Sequence, residues 1–373
     1  MIVGLFTELL STGGVQRAGR HVAAVVAEFA AGRGVPCRFL SLNDPQGLHT
    51  VRVGPSEFSV SGYARRKSQF VLAAMRAAGR KPSLVLALHP HLAPIVWMMK
   101  ARSRKIRSVV FAHGIEVWQP LGWPRGAALR RADLLIGPSA DTVQHLISDQ
   151  RVDPGKVQRL PWGLDPEFEA RVAACVQTAL PRDFPVNARV ILTVSRWDPA
   201  DRYKGGDTLI AALPQVLWSV PDAFLVLVGD GEDRPRLEQM ARDLGVSDRT
   251  RFLHGLSQDE LFACYANCQV FALPSRGEGF GFVYLEAMAF GKPVIGGAHG
   301  GALDVIEDGV TGFLVPHGDL ERLSGALEML LADPSRAAQM GAQGKDRLAQ
   351  KFSFQQFRTQ LTHLLDCVLT HKH

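Results

Sequence analysis

Cysteine is scarce: Cys37, Cys175, Cys264, Cys268 and Cys367 are scattered through 373 residues. An odd, dispersed set offers no disulfide framework and fits a reducing compartment. Cys264 and Cys268 are four apart and share a helix face, but no histidine or further cysteine stands at ligand spacing. They read as core, not as metal ligands. Long apolar runs are also lacking. Leu84–Met99 is broken by His89, Pro90, His91 and Pro94, well short of the ~20 clean residues of a membrane span. The opening Met1–Glu8 has no basic leader and reads as a buried strand rather than a signal peptide. No Gly-x-x-x-x-Gly-Lys-Ser/Thr occurs, which disfavours a P-loop phosphotransferase. His-Glu-x-x-His and Gly-x-Ser-x-Gly are missing as well. In Gly277-Glu-Gly-Phe-Gly281 the third glycine comes one residue early for a dinucleotide fingerprint. Acidic residues are few in the first half: residues 1–180 hold 23 Lys+Arg against 12 Asp+Glu, whereas residues 181–373 hold 19 against 24.

What is present is a strand–helix alternation with 46% hydrophobic and 21% charged residues, enough for two cores. Strands are predicted at Ile2–Phe6, Cys37–Leu42, Leu84–Leu88, Ser108–Phe111, Leu134–Ile136 and Val157–Leu160. Helical patterns run over Arg17–Ala31, Gly62–Ala78 and Asp141–Asp149, the last capped by Ser139. The rhythm loosens over the proline-rich Pro161–Pro185. It resumes with strands at Val190–Val194, Ala223–Val228, Thr250–Phe252, Val270–Ala272, Pro293–Ile295 and Gly312–Val315, then a helix at Phe354–Leu369. The expected fold is α/β: two doubly wound, Rossmann-like parallel-sheet domains facing a central cleft. The expected divisions are 1–165, 166–352, and a final helix at 353–373 packing back on the first domain. Ligands bind at the carboxyl ends of such strands, so the strand-to-helix turns should carry the chemistry.

Four turns qualify. Ser275-Arg-Gly-Glu278-Gly-Phe-Gly-Phe-Val-Tyr-Leu-Glu286 follows a strand and opens a helix. Its glycines let backbone approach a ligand, and its helix start suits a phosphate. Two carboxylates beside such a site are good acceptors for sugar hydroxyls. Arg196 and Lys204 follow the strand Val190–Val194 and can hold phosphate oxygens, one as a fork and one as a point charge. Gly13-Gly14 follows the first strand, where a flexible loop can touch phosphates. His113 ends an apolar strand and can orient a hydroxyl, although a histidine there is equally a packing residue.

The Glu278-x7-Glu286 spacing, within Glu-Gly-Phe-Gly and before Glu-Ala-Met-Ala-Phe-Gly-Lys-Pro-Val, resembles family 4 of the retaining GT-B glycosyltransferases. The resemblance covers nearly the whole chain and is densest from Val190 to Val315. It implies that Glu278 contacts the donor sugar and Glu286 the nucleotide ribose. The backbone of Gly279, Phe280, Gly281, Phe282 and Val283 then holds the diphosphate. Arg196 and Lys204 match the family's Arg…Lys-Gly pair, Gly13 and Gly14 its N-terminal glycine loop, and His113 its sugar-contacting histidine. Gly255 and Leu256 match the stretch whose backbone reads the nucleobase. The implied reaction retains anomeric configuration by front-face attack, with a nucleoside diphosphate sugar (UDP- or GDP-linked) as co-substrate and no cofactor. No Asp-x-Asp is present, which weakens a metal-dependent GT-A reading, and no metal is expected.

The acceptor is expected to be a glycan or lipid-linked molecule of envelope polysaccharide, lipopolysaccharide or glycolipid synthesis. Arg65-Arg-Lys67, and Lys100–Arg107 after the apolar Ile95–Met99, suit an anionic membrane surface. That places the protein in the cytoplasm, peripheral to the inner membrane face. Taken singly, Trp97, Met98 and Met99 read more readily as core. A nucleotide-sugar epimerase of the same architecture is the alternative enzyme. A nucleic-acid binder lacks the clustered basic and aromatic motif such modules carry.

Overall fold

The structure, a computed structural model, describes residues 1–174 and 179–370; Cys175 lies outside them. The chain divides into two compact units, Met1–Glu167 with Ser353–His373, and Phe168–Phe352.

Unit 1 is built on β1 (Ile2–Phe6), β2 (Cys37–Ser41), β3 (Gly47–Val53), β4 (Ser56–Gly62), β5 (Leu84–Ala87), β6 (Arg107–Phe111), β7 (Leu134–Gly137) and β8 (Val157–Arg159). Their order is β3-β4-β2-β1-β5-β6-β7-β8. All pairs are parallel except the β3–β4 hairpin. Unit 2 carries β9 (Arg189–Val194), β10 (Ala223–Val228), β11 (Thr250–Leu253), β12 (Val270–Leu273), β13 (Val294–Gly297) and β14 (Gly312–Val315). Their order is β11-β10-β9-β12-β13-β14, all parallel. Every residue of β1 and β10 is buried, as strands covered by helices on both faces must be.

Direction reverses at β1 in unit 1 and at β9 in unit 2, because each has its sequence successors on opposite sides. Helices that leave toward opposite faces open a crevice there, at the carboxyl ends of the strands. The turns after β1, β5, β6, β9 and β12 are therefore where a ligand is received.

Two expectations are corrected. The β3–β4 hairpin was not read from the sequence. Val51, Val53, Phe58 and Val60 are buried while most intervening residues are exposed, so an antiparallel edge is patterned on one face only. The helix expected from Gly62 starts at Lys67. Gly62 ends β4, and Ala64 and Arg65, at φ +46° and +63°, turn the chain before the helix. Ser139 caps as expected, its hydroxyl accepting from the Thr142 amide at 3.2 Å.

The last helix, Phe354–Thr370, belongs to unit 1. Phe354 meets the His21 ring at 5.2 Å and Phe357 meets Trp162 at 5.7 Å. Leu164 pairs in a β-bridge with Ser353, so the two crossings between units lie side by side on unit 1.

Candidate active site

In unit 2, β9 and β12 are neighbours, and the turns that leave them carry the charged groups. After β9, Trp197 is driven into the core. Its backbone N–H donates to the Asp230 carbonyl at 2.8 Å, and its backbone carbonyl accepts from the Asp233 amide at 2.7 Å. With Trp197 inward, Arg196 faces out: its side chain is 77% exposed, and Nη2 stands 3.0 Å from Asp201 Oδ2. The turn Pro199–Lys204 ends on Lys204, whose ammonium is ion-paired with the Glu278 carboxylate. Both side chains are largely shielded, at 17% and 15% exposure. Burial works against the Lys204 charge, but Glu278, then Tyr203 and Asp201, outweigh it and raise the pKa. Lys204 is therefore a permanent cation. Arg196, Asp201, Lys204 and Glu278 form a run of alternating charge.

Glu278 is held by backbone. The Arg276 amide donates to the Tyr203 carbonyl at 2.7 Å, joining the two turns. The Gly301 amide donates to the Glu278 carbonyl at 2.6 Å. Gly300, at φ +61°, passes so close that a Cβ would lie 2.4 Å from the Glu278 carbonyl oxygen. Gly281, at φ +97°, then starts the helix Phe282–Ala289, and a Cβ there would lie 2.4 Å from the Tyr284 ring. Among the described residues no side chain caps this helix, so its positive end is presented to a ligand. Phe280 is buried against Phe352 at 6.0 Å between ring centroids, and Gly301 packs so close to its backbone that a Cβ there would lie 2.4 Å from the Phe280 Cα. Glu286, one turn into the helix, accepts from the Tyr265 hydroxyl at 2.8 Å. Tyr265 is fixed in turn by stacking on Phe290 at 5.7 Å. Gly255, at φ +64°, and Leu256 lie in the turn after β11, two strands out from β9.

In unit 1, Gly13 and Gly14 open the helix Gly14–Gly32. The preceding loop is clamped. Buried Asp44 accepts from the Leu9 and Leu10 amides at 2.9 and 3.1 Å, and Arg20 Nη1 donates to the Leu9 and Ser11 carbonyls at 2.7 and 2.9 Å. His113 follows β6. Its Nε2 lies 2.6 Å from the Leu88 carbonyl, its amide donates to Glu116 Oε1 at 2.5 Å, and its ring stacks on Trp162 at 5.5 Å.

The structure thus pairs Lys204 with Glu278 and Arg196 with Asp201, whose charge also acts on Lys204. Gly13, Gly14 and His113 sit on the corresponding edge of unit 1. Sequence reasoning overlooked Asp201, Tyr203, Tyr265 and Asp44, which hold the expected residues in place. It noted Gly300-Gly301 without a role; the positive φ and the close approach to Glu278 supply one. The basic stretches are partly spent inside the fold. Lys100 Nζ is 2.6 Å from Asp133 Oδ2, Arg131 lies over Trp97, and Met99 is buried. Among the described residues no helix is long and apolar enough to cross a membrane.

Sequence comparison agrees with the fold. The family described as glycosyl transferases group 1 matches residues 181–347, and glycosyltransferase family 4 matches residues 13–168. The chain belongs to the family 4 glycosyltransferases and has their GT-B fold. It is 36% identical over 285 residues, 71% of each chain, to a GDP-mannose-dependent alpha-(1-6)-phosphatidylinositol monomannoside mannosyltransferase of Mycolicibacterium smegmatis. It is 33% identical over 292 residues, 73% of this chain and 74% of the other, to a Corynebacterium glutamicum mannosyltransferase acting on the monoacylated form. Sucrose-phosphate synthase from Thermosynechococcus elongatus superposes with a TM-score of 0.79 at 23% identity, over 98% of each chain. Anabaena HepE in complex with UDP and glucose gives 0.73 at 20% identity, over 98% of this chain and 100% of the other.

Proposed function

We propose that this glycosyltransferase moves a hexosyl group from a nucleoside diphosphate sugar, GDP-mannose foremost, to a hydroxyl of a lipid-linked or envelope-glycan acceptor, with retention of configuration. The observation that carries the reading is the shielded Lys204–Glu278 pair in front of the uncapped helix Phe282–Ala289. One partner is suited to a departing phosphate and the other to sugar hydroxyls, and both are fixed by backbone. The mannosyl relatives support GDP-mannose as donor.

In this reading Glu278 accepts hydrogen bonds from donor-sugar hydroxyls and Glu286 from the ribose. The backbone of Gly279 to Val283 receives the diphosphate, the Gly13-Gly14 loop adds an amide, and Gly255 and Leu256 meet the base. His113 touches the sugar. The bond from C1 to the β-phosphate oxygen breaks, and its electron pair leaves with the diphosphate. The acceptor oxygen bonds to C1 from the same face and passes its proton to the departing phosphate oxygen. Arg196, Lys204 and the helix start stabilise the charge that grows there, and no metal is required. Exposed Arg65, Arg66 and Lys67, with Arg102, Arg104 and Lys105, hold unit 1 against the anionic cytoplasmic face of the membrane.

The test is Glu278→Ala, assayed with GDP-mannose and a mannosylated lipid acceptor. Turnover is expected to fall on the order of a hundredfold or more, while GDP still raises the melting temperature. Full turnover in that variant would refute the assignment. An isomerised GDP-sugar formed without acceptor would mark the chain as an epimerase instead. For the membrane, sedimentation with phosphatidylserine vesicles at low salt should retain the protein, and about 0.5 M salt should release it. No binding at low salt would remove the membrane from the reading.

A further inference from the structure

A second histidine stands beside His113, and the hydrogen bonds of the two rings fix the same Nε2–H tautomer but leave opposite atoms over, Nδ1 in one ring and Nε2 in the other. His113 Nε2 meets the Leu88 carbonyl. A carbonyl oxygen only accepts, so Nε2 carries the proton, and in the neutral ring Nδ1 is a bare acceptor. His89 ends the turn after β5 and caps the short helical turn Pro90–Leu92. Its Nδ1 accepts the His91 amide at 3.2 Å. A backbone amide only donates, so here Nδ1 is bare and Nε2 carries the proton. The ring centroids are 6.2 Å apart and tilted by 33°. Neither His113 Nδ1 nor His89 Nε2 has a protein partner among the described residues, and neither is an enclosed unpaired atom. Both therefore reach solvent. Unit 1 presents one hydrogen-bond acceptor and one donor on neighbouring rings, each ring held by main chain.

Neighbouring hydroxyls on a sugar or cyclitol ring match this pair, because each hydroxyl both donates and accepts. One gives its proton to His113 Nδ1, and the oxygen beside it accepts from His89 Nε2. Resting on the glycosyltransferase reading above, we propose that His89 is a second sugar-binding residue of this chain, completing with His113 a clamp for two vicinal ring hydroxyls. The surroundings keep the clamp in working form. Burial, then the net effect of nearby Glu116 against His113, His91 and Arg125, pushes the His89 pKa down to about 4. The ring stays neutral at physiological pH, and the amide bond at Nδ1 is not contested by a proton.

The diol belongs either to the transferred sugar or to the acceptor, and the test separates them. His89→Asn keeps an acceptor for the His91 amide but removes the Nε2 donor. The intact wild-type and variant chains are titrated calorimetrically with GDP, GDP-mannose and methyl α-D-mannopyranoside. GDP affinity should be unchanged, which also shows that the variant is folded. Affinity for a sugar-bearing ligand should drop about tenfold, the worth of roughly one hydrogen bond to a neutral partner. His89→Gln, which restores a donor near Nε2, should recover part of it. A loss confined to GDP-mannose assigns the diol to the donor sugar; a loss confined to the mannoside assigns it to the acceptor. Equal affinity of wild type and His89→Asn for both sugar ligands overturns the proposal, as does a wild type that binds neither. A wild type that binds the mannoside but neither GDP nor GDP-mannose refutes the donor assignment instead and leaves the clamp standing.

Discussion

The two units present polar groups of different kinds at equivalent strand ends. In unit 2 the groups are charged and paired with each other: Arg196 with Asp201, Lys204 with Glu278. In unit 1 they are imidazoles, each tied to main chain: His113 to the Leu88 carbonyl, His89 to the His91 amide. An ion pair can exchange partners when a diphosphate arrives, because the cation is already desolvated and fixed. A neutral imidazole bonded to backbone cannot wander, and it offers a donor or an acceptor according to the atom left over. On the proposed reading, full charge stands where charge must be stabilised, and uncharged hydrogen bonds stand where shape must be read.

The largest expected effect breaks the charged side of this comparison. Lys204→Ala should lower kcat by about 10²–10³-fold, with a much smaller change in donor KM, since the cation matters most as the leaving group gains charge. Single-turnover kinetics would check the split; a loss confined to KM would reduce Lys204 to a binding contact.

The neutral side is sharpened by pH. His89 and His21 both have lowered pKa values, His89 at about 4, chiefly through burial. An unfolded histidine titrates near 6.5. Between these values the unfolded chain binds the proton and the folded chain does not, so stability is full above about 6.5 and is lost as pH falls toward 4. Asp165, held down to about 2 by hydrogen bonding and charge from His21 in spite of burial, acts lower. Its contribution is present above the ordinary carboxylate range and disappears as pH falls toward 2. Melting curves at pH 7 and 4.5 should show the acid loss, and His89→Asn should shrink it by about 2–4 °C for each kcal/mol removed. An unchanged loss would mean that His89 is already charged in the fold.

The smallest effect is a control beside the turn of Gly255 and Leu256, away from the charged pairs and the histidines. Ser257 and Glu260 cap the helix Gln258–Asn267 reciprocally, at 3.2 and 2.8 Å. Ser257→Ala should cost ~1 kcal/mol, seen as a small shift in urea midpoint, with kcat intact.

The parallel strands were legible because their apolar residues run continuously, and the central ones, Ile2–Phe6 and Ala223–Val228, are buried throughout. Ala223–Val228 and Gly312–Val315 read from the sequence to the residue, and Ile2–Phe6 likewise. The β3–β4 hairpin was not, because a solvent-facing edge strand buries only alternate residues and then looks like loop. Gly54-Pro55 between Val53 and Ser56 was the available signal. In the site, the strand-end motifs named Glu278, Lys204 and Arg196. Their partners were invisible, since Asp201 and Tyr265 carry no local pattern and acquire meaning only when β9 and β12 lie side by side. Asp44 is similar: it sits 35 residues from the Leu9 amide it fixes.

The paired crossings at Leu164 and Ser353 bear on the order of events during synthesis. Unit 2 is one uninterrupted stretch of chain, so everything it needs has left the ribosome before residue 353 appears. Unit 1 begins first and finishes last. Until the 17 residues of Phe354–Thr370 emerge, His21 and Trp162 lack the aromatic rings that cover them. The nascent protein is thus expected to complete unit 2, the half that carries Lys204 and Glu278, before it completes unit 1, the half that carries both histidines.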